Sequence, residues 1–221
     1  MQLKEKFWIQ PNFMVFMIIN NTIEEIKKEL NKENVVCFKT DTIWGLSANP
    51  KSSKAVQKLY TIKQRNLDKP FIFLISQKQN LNELVESISK TEQKLIDTFW
   101  PGPLTIIFKA KKDLSLLKNY KQKTTIALRM PKDDLCQEIL QKIDYPLPST
   151  SVNLEGQPAL NSEQEICKNF VNEEIYLFKN NSKNNLKEVS STIVICEDNN
   201  VKILREGSIS KEDILNIFKE D

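Results

Sequence analysis

The side chains best suited to chemistry in this 221-residue chain are cations that cluster in short segments. Lys63, Arg65 and Lys69 lie at the predicted end of a helix, where three like charges repel one another unless water or an anion offsets them. Two interpretations stay open from the spacing alone. The cations form a solvated basic edge that complements the negative end of the helix dipole, or they form a clamp for a polyphosphate.

A second candidate site centres on an arginine and two groups of hydroxyls. Arg129 follows an apolar run and precedes Pro131, so its guanidinium is expected at a strand end, where α/β folds place ligands. It can hold a carboxylate ligand through two parallel hydrogen bonds, or form a structural ion pair with an Asp or Glu of the chain. Residues 149–153 bring four small polar side chains together after Pro148, and a turn or helix cap is the competing interpretation. Residues 190–192 are similar and fit the start of a strand.

Composition excludes several classes of catalytic site. The chain has no histidine, so a Ser-His-Asp triad, a Cys-His pair, a His-ligated zinc and a histidine proton shuttle are all impossible. Its four cysteines form no Cys-x-x-Cys pair, which favours reduced core residues of a cytosolic protein. The net charge of +3 is too small for a broad nucleic-acid-binding surface but allows a local basic cleft. The longest apolar run, residues 13–19, is too short to span a bilayer, and we expect a cytoplasmic protein.

Helical and strand periods alternate along the chain, which predicts a layered α/β domain with strands buried on both faces. Residues 1–16 are expected to be a loosely attached extension, residues 17–221 a single domain, and residues 180–187 a mobile loop. Asn21 is the expected cap of the first helix. Helices are predicted over 22–32, 52–64, 91–100, 133–143 and from Ser210 onward, and strands over 35–39, 71–75, 104–108, 125–128, 175–178, 192–196 and 201–204.

Glycine is scarce, which makes the positions of the few glycines informative. Average usage gives about 15 glycines in a chain of this length, but Gly45, Gly102, Gly156 and Gly207 are all that it has. Each is expected where close approach or an unusual backbone conformation requires it. No two are close enough to form a phosphate-binding glycine loop. Phosphates would therefore be held by Lys and Arg side chains, with help from helix N-termini.

Six segments in order resemble the YrdC/TsaC family, the L-threonylcarbamoyladenylate synthases. The resemblance covers about residues 35–209, and its most specific pattern is Lys63-x-Arg65 followed by Ser151-x-Asn153. The segments are TDTIWGL (40–46), KQR with a following KP (63–70), FWPGPLT (99–105), ALRMP (127–131), STSVN (149–153) and LREGSI (204–209).

The resemblance implies a fold and a reaction. The fold would be a twisted mixed α/β sheet curled around a basic concave cleft, YrdC-like or DHBP-synthase-like, in the short single-domain form. The reaction would join L-threonine, bicarbonate or CO2 and ATP, with Mg²⁺ accompanying ATP, to give threonylcarbamoyl-AMP and pyrophosphate. Other proteins would then transfer the threonylcarbamoyl group to adenosine 37 of tRNA, and direct contact with tRNA is possible. No membrane partner is expected.

The resemblance also implies site residues, position by position. The catalytic set is Lys63, Arg65, Ser151 and Asn153, and no side chain is implied as a metal ligand. Threonine would be surrounded by Thr42, Leu74, Arg129, Ser151 and Ser191. ATP would contact Arg65, Lys69, Thr125, Asn153, Asn161 and Arg205.

The chain departs from the family pattern at a few positions. Lys39 stands where a proline usually opens the first motif, and Trp44 where tyrosine is common. Leu154 and Glu155 replace a small residue and a serine before Gly156. Because a carboxylate beside an anionic ligand is repelled, Glu155 is expected to point away from the site.

Two alternatives remain. One is a non-catalytic module that binds double-stranded RNA or tRNA in the same basic cleft, with a steep loss of affinity at high salt. The other is a paralogue with the same cleft and a different reaction. The lysines that could extend a basic rim for RNA are Lys109, Lys111, Lys112, Lys118, Lys121 and Lys123.

Overall fold

A computed structural model describes residues 16–18, 22–170, 173–178, 189–198 and 200–219, and it confirms the α/β fold class. Most of the predicted N-terminal extension and the whole predicted loop 180–187 lie outside the described residues. The strands are β1 (Phe16–Ile18), β2 (Val35–Lys39), β3 (Trp44–Ser47), β4 (Ile72–Leu74), β5 (Leu104–Lys109), β6 (Thr125–Arg129), β7 (Leu147–Ser151), β8 (Ile175–Phe178), β9 (Thr192–Glu197) and β10 (Asn200–Arg205).

Most helices begin at a side chain that caps the first turn. Thr22 rather than Asn21 caps the first helix, because its hydroxyl accepts a hydrogen bond from the backbone N–H of Glu25. The helix predicted from Ser210 onward is confirmed, and a capping box between Ser210 and Asp213 begins it. No helix in the described ranges is long and apolar enough to cross a membrane. The helices are α1 (Ile23–Asn31), α2 (Ser53–Lys63), α3 (Leu81–Leu84), α4 (Lys90–Phe99), α5 (Asp134–Ile143), α6 (Glu163–Asn169) and α7 (Lys211–Asn216).

The ten strands form one mixed sheet in the order β1-β8-β2-β3-β7-β4-β6-β5-β9-β10. The sheet contains both parallel and antiparallel pairs, and at its centre β7 is antiparallel to both of its neighbours, β3 and β4. Successive side chains of β2 enter different cores: Val36 and Phe38 pack with α1 and α5, and Val35 and Cys37 join the larger cluster that includes α2. The period of two along a strand explains this alternation. Both faces of the sheet are therefore covered, as the continuous apolar runs predict.

Two central strands and two helices, α3 and α6, were not predicted. The sequences of β3 (WGLS) and β7 (LPSTS) contain glycine, proline and serine, which are poor strand formers on their own. Pairing on both sides holds these segments extended, β3 between β2 and β7, and β7 between β3 and β4. The interpretation of residues 149–151 as a turn or helix cap is therefore wrong. Helix α6 begins at Ser162 with a capping box to Glu165.

One buried hydroxyl fastens the LREGSI segment to the sheet. Thr192, at the start of β9, donates from Oγ1 to the carbonyl of Ile209 (2.6 Å) and accepts from the N–H groups of Gly207 (2.9 Å) and Ile209 (3.0 Å). The backbones approach so closely that a Cβ on Gly207 would lie 2.1 Å from the carbonyl oxygen of Ser190. This packing requires glycine and places Arg205 beside Ser191.

Replacing Thr192 with valine keeps the shape of the side chain but leaves one carbonyl and two N–H groups without partners. We expect Thr192→Val to lower the free energy of unfolding by about 1–3 kcal/mol, measured by urea denaturation. Thr98→Val is the control, because Thr98 is exposed and donates only to a helix carbonyl; its effect should stay within about 0.5 kcal/mol. Equal effects of the two variants would contradict the role given to Thr192.

Candidate active site

A single cleft brings together side chains that are far apart in the sequence. Its lining comes from β3, β4, β7 and β9, from the loop after β2 and from the ends of β6 and β10. Arg65, Arg129 and Arg205 all line it, together with Ser151. Seven of the predicted site residues lie in this lining: Thr42, Arg65, Leu74, Arg129, Ser151, Ser191 and Arg205.

Arg129 is a buried hub that connects three of the six segments. Its Nε donates to the carbonyl of Gly102 (3.1 Å), Nη1 donates to Oγ1 of Thr42 (2.8 Å), and Nη2 forms an ion pair with Asp41. Both members of the ion pair are more than nine-tenths buried. The interpretation as a structural ion pair is confirmed. Two further N–H groups, one on each Nη, donate to no residue in the described part of the chain, so a ligand carboxylate can still bind them.

Arg205 is fixed to Ser191, the residue before β9. Its Nε and Nη2 both donate to the carbonyl of Ser191, and Nη2 also approaches Oγ of the same residue. Ser191 in turn shares a hydrogen bond with Thr105. The pKa of the Arg205 guanidinium is lowered by partial removal from water and then by the charges of Arg129 and Arg65. The three guanidinium groups therefore repel one another, and a bound anion would reduce this repulsion.

Arg65 lies in a loop that folds back on itself. Gln64 ends α2 in the left-handed conformation, and Arg65 then donates from Nε to the carbonyl of Lys69 (3.3 Å) and from Nη2 to that of Pro70 (2.9 Å). Its guanidinium lies over the ring of Phe71, 5.3 Å from the ring centre. Partial burial lowers its pKa. Carbonyls and an aromatic face thus hold this cation at the cleft.

Lys63 does not line the cleft. Its side chain is buried, and Nζ donates to the carbonyls of Ser151 (2.9 Å) and Asn153 (2.7 Å) and to Oδ1 of Asn153. The interpretation as a solvated basic edge is wrong for this residue. Burial and the nearby charge of Arg65 lower the pKa of the Lys63 ammonium to about 8. All three of its N–H donors hold the end of β7 and the turn after it, so Lys63 positions Ser151 and Asn153.

Glu155 does not point away from the cations. Its carboxylate forms an ion pair with Nζ of Lys69 and accepts the backbone N–H of Asn66 (3.3 Å). The hydrogen bond to Lys69 is the main cause of the lowered pKa of Glu155, followed by that backbone bond and the charges of Lys69 and Arg65. Glu155 is absent from the lining of the cleft, and neighbouring positive charges hold its carboxylate beside Lys69.

The remaining predicted ATP contacts lie outside the cleft lining. Asn153 donates from Nδ2 to the carbonyl of Gln157 and accepts from Lys63 and Ser151. Thr125 accepts a hydrogen bond from Gln122, and the backbone N–H of Asn161 is bound to Glu165. Lys69 is exposed and paired with Glu155.

Several residues at the site are absent from the predicted set of site residues. Asp41 positions Arg129 without being in the predicted set, and the available signal was a carboxylate between two threonines in TDT. Trp44, one of the departures from the family pattern, is buried and lines the cleft. Further lining residues are Thr40, Ile43, Gly45, Phe71, Ile72, Ser149, Thr150, Ser190 and Ile193.

Comparison with known proteins places the chain in a family. Residues 28–207 match the Sua5/YciO/YrdC family model, described as telomere recombination, so the chain belongs to that family. A threonylcarbamoyl-AMP synthase of Bacillus subtilis (strain 168) is 31% identical over 185 residues, which are 84% of this chain and 53% of the relative. The chain thus spans about half the length of that protein.

Two solved structures support the fold. P. abyssi Sua5 complexed with L-threonine superposes with a TM-score of 0.79 at 24% identity, covering 93% of this chain and 62% of that one. E. coli YciO superposes with a TM-score of 0.74 at 20% identity, covering 90% of this chain and 96% of that one. The expected mixed YrdC-like sheet is confirmed.

Replacing Lys63 with methionine tests its positioning role. The variant loses three hydrogen bonds from a charged donor, and we expect the free energy of unfolding to fall by about 1–3 kcal/mol. Lys58→Met is the matched control, because Lys58 pairs with an exposed carboxylate, that of Glu174. A Lys63→Met protein as stable as the control in urea denaturation would contradict the assignment.

Proposed function

We propose that this protein is a threonylcarbamoyl-AMP synthase that uses L-threonine, bicarbonate or CO2 and ATP and releases pyrophosphate. The observation that carries the proposal is the convergence of Arg65, Arg129, Arg205 and Ser151 on one cleft. Membership of a family that includes enzymes of this name supports it. The two anionic substrates that such a reaction joins need a site of this charge.

The chemistry requires positive charge and orientation more than a proton-transfer group. Threonine's amine takes up CO2 as a carbamate, and a carbamate oxygen then attacks the α-phosphorus of ATP. One P–O bond forms, and the bond to the departing pyrophosphate breaks. Because both reactants are anions, their repulsion is a large part of the barrier. Fixed guanidinium groups offset that charge, and a clamp on the carboxylate fixes the orientation. A chain without histidine can do this.

Threonine is assigned to the part of the cleft around Arg129. The second N–H group on each Nη of Arg129, which donates to no described residue, can bind the amino acid's carboxylate. Asp41 and Gly102 keep the guanidinium in place. The hydroxyls of Thr42, Ser151 and Ser191 are available for polar contacts, and Leu74 supplies an apolar wall. Hydrogen bonds to the substrate hydroxyl would disfavour amino acids that lack it.

ATP is assigned to the cationic side of the same cleft. Arg65 and Arg205 line it directly, and Lys69 lies on the loop that carries Arg65. Lys63 is a positioning residue here, because its donors are occupied by the end of β7 and the turn after it. The predicted contacts of Thr125, Asn153 and Asn161 with ATP rest on the resemblance alone.

Mg²⁺ is proposed to enter as the complex with ATP. Two carboxylates beside the cations of the site are each paired, Asp41 with Arg129 and Glu155 with Lys69. While they are paired with cations, these carboxylates are poor ligands for a metal ion, whereas Mg²⁺ readily binds phosphate oxygens and water. When bound, the ion would neutralise part of the triphosphate charge.

The remaining functional assignments also rest on the resemblance. We propose that the chain acts in the cytoplasm as a single catalytic domain and that tRNA-modifying proteins receive its product. RNA binding is the second candidate, because all six rim lysines named above are exposed. Lys121 pairs with Asp68, in the loop that carries Arg65.

The decisive experiment is synthesis by the purified chain. Pyrophosphate and threonylcarbamoyl-AMP, measured by chromatography and mass spectrometry, should both form only when ATP, bicarbonate and threonine are present. L-Valine, which has the same shape but lacks the hydroxyl, should give kcat/KM at least about tenfold lower. Salt-sensitive RNA binding with no threonine-dependent pyrophosphate release would favour the RNA-binding alternative.

Arg129→Lys separates the two substrates. Lysine keeps a positive charge beside Asp41 but loses the planar fork that binds a carboxylate. We expect the KM for threonine to rise at least about tenfold, equivalent to ~1.4 kcal/mol, with the KM for ATP within about twofold. Arg65→Lys is the reciprocal control and should affect ATP more. Equal rises in both KM values for Arg129→Lys would rule out the clamp.

A further inference from the structure

The Glu155 carboxylate lies beside Lys69 and is also affected by the charge of Arg65, and both of these cations are assigned to ATP phosphates. Its Oε1 pairs with Nζ of Lys69, and its Oε2 accepts the N–H of Asn66. Its own backbone N–H donates to the carbonyl of Lys63 (3.2 Å). Three contacts thus join the turn that carries Glu155 to α2 and to the loop that carries Arg65.

The two members of the ion pair differ in how firmly they are held. Glu155 is anchored by two backbone hydrogen bonds, and its side chain is 28% exposed. The Lys69 side chain is 59% exposed, and Glu155 is the one partner of its ammonium within the described residues. Exposed ion pairs are weak, since water and salt screen them. Lys69 can therefore change partners while the carboxylate stays in place.

We propose that Glu155 sets the affinity of the nucleotide site by competing with phosphate groups for Lys69. This inference rests on the proposed function. When a triphosphate binds, the Lys69 ammonium moves from Glu155 to the phosphates. The Glu155 carboxylate stays in place, so it can pair with Lys69 again. When pyrophosphate departs, Lys69 returns to Glu155. The residue thereby weakens the binding of both the substrate nucleotide and the pyrophosphate product, and it favours product release.

The test compares anion binding by charge-neutral variants. Glu155→Gln removes the charge but keeps an oxygen that can accept the N–H of Asn66. Calorimetric titration of ATP and of inorganic pyrophosphate, each in EDTA, should show binding about three- to fivefold tighter than in the wild type, because binding no longer has to break an exposed ion pair. Glu174→Gln removes the same charge from an exposed pair with Lys58 and should bind both as the wild type does.

A double-mutant cycle with Lys69→Gln separates competition from general repulsion. In the Lys69→Gln background, the gain from Glu155→Gln should fall below about twofold, because the contested cation is gone. An equal gain in both backgrounds, or no gain from Glu155→Gln in the wild type, would overturn the inference.

The two proposals fail in different ways. ATP binding that is the same in the wild type and Glu155→Gln leaves the synthase proposal standing and overturns the role of Glu155. Tighter pyrophosphate binding by Glu155→Gln without ATP binding by either protein supports the role of Glu155 and contradicts the synthase proposal. Binding of neither anion by either protein contradicts both.

Discussion

Three guanidinium groups share one cleft, and the fold must hold them there against their mutual repulsion. The chain does so mainly with backbone carbonyls: Gly102 binds Arg129, Ser191 binds Arg205, and Lys69 and Pro70 bind Arg65. Carbonyl dipoles stabilise a cation without neutralising it, so the cleft keeps its positive charge. Arg129 differs from the other two arginines, because it forms a buried ion pair with a carboxylate, that of Asp41. Breaking such a buried pair is costly, which fixes Arg129 most firmly of the three.

This arrangement explains why the conspicuous segments are spread along the chain. FWPGPLT supplies the carbonyl of Gly102, TDTIWGL supplies Asp41 and Thr42, and LREGSI supplies Arg205. Each of these segments supplies either a side chain that lines the cleft or an oxygen that accepts a hydrogen bond from such a side chain. The sheet order brings them together, because β3, β7, β4, β6, β5, β9 and β10 are consecutive neighbours.

Much of the fold could be predicted from periodicity and capping, but its centre could not. Strands β3 and β7 have weak intrinsic preference, and pairing on both sides makes them extended. Seven of the residues that line the cleft could be predicted from the resemblance, but not the partners of each cation. Spacing shows that Lys63 ends a helix, whereas its burial depends on carbonyls about 90 residues away. For Glu155, the sequence indicates repulsion by an anionic ligand but not the ion pair with Lys69, which lies 86 residues away in the chain.

The most direct test of the shared cleft is a crystal structure with L-threonine and a non-hydrolysable ATP analogue bound together. The account predicts the triphosphate beside Arg65 and Arg205 and the amino-acid carboxylate on Arg129, with both ligands in the same cleft. Either ligand on a different surface, or two ligands that displace each other at one position, would contradict it.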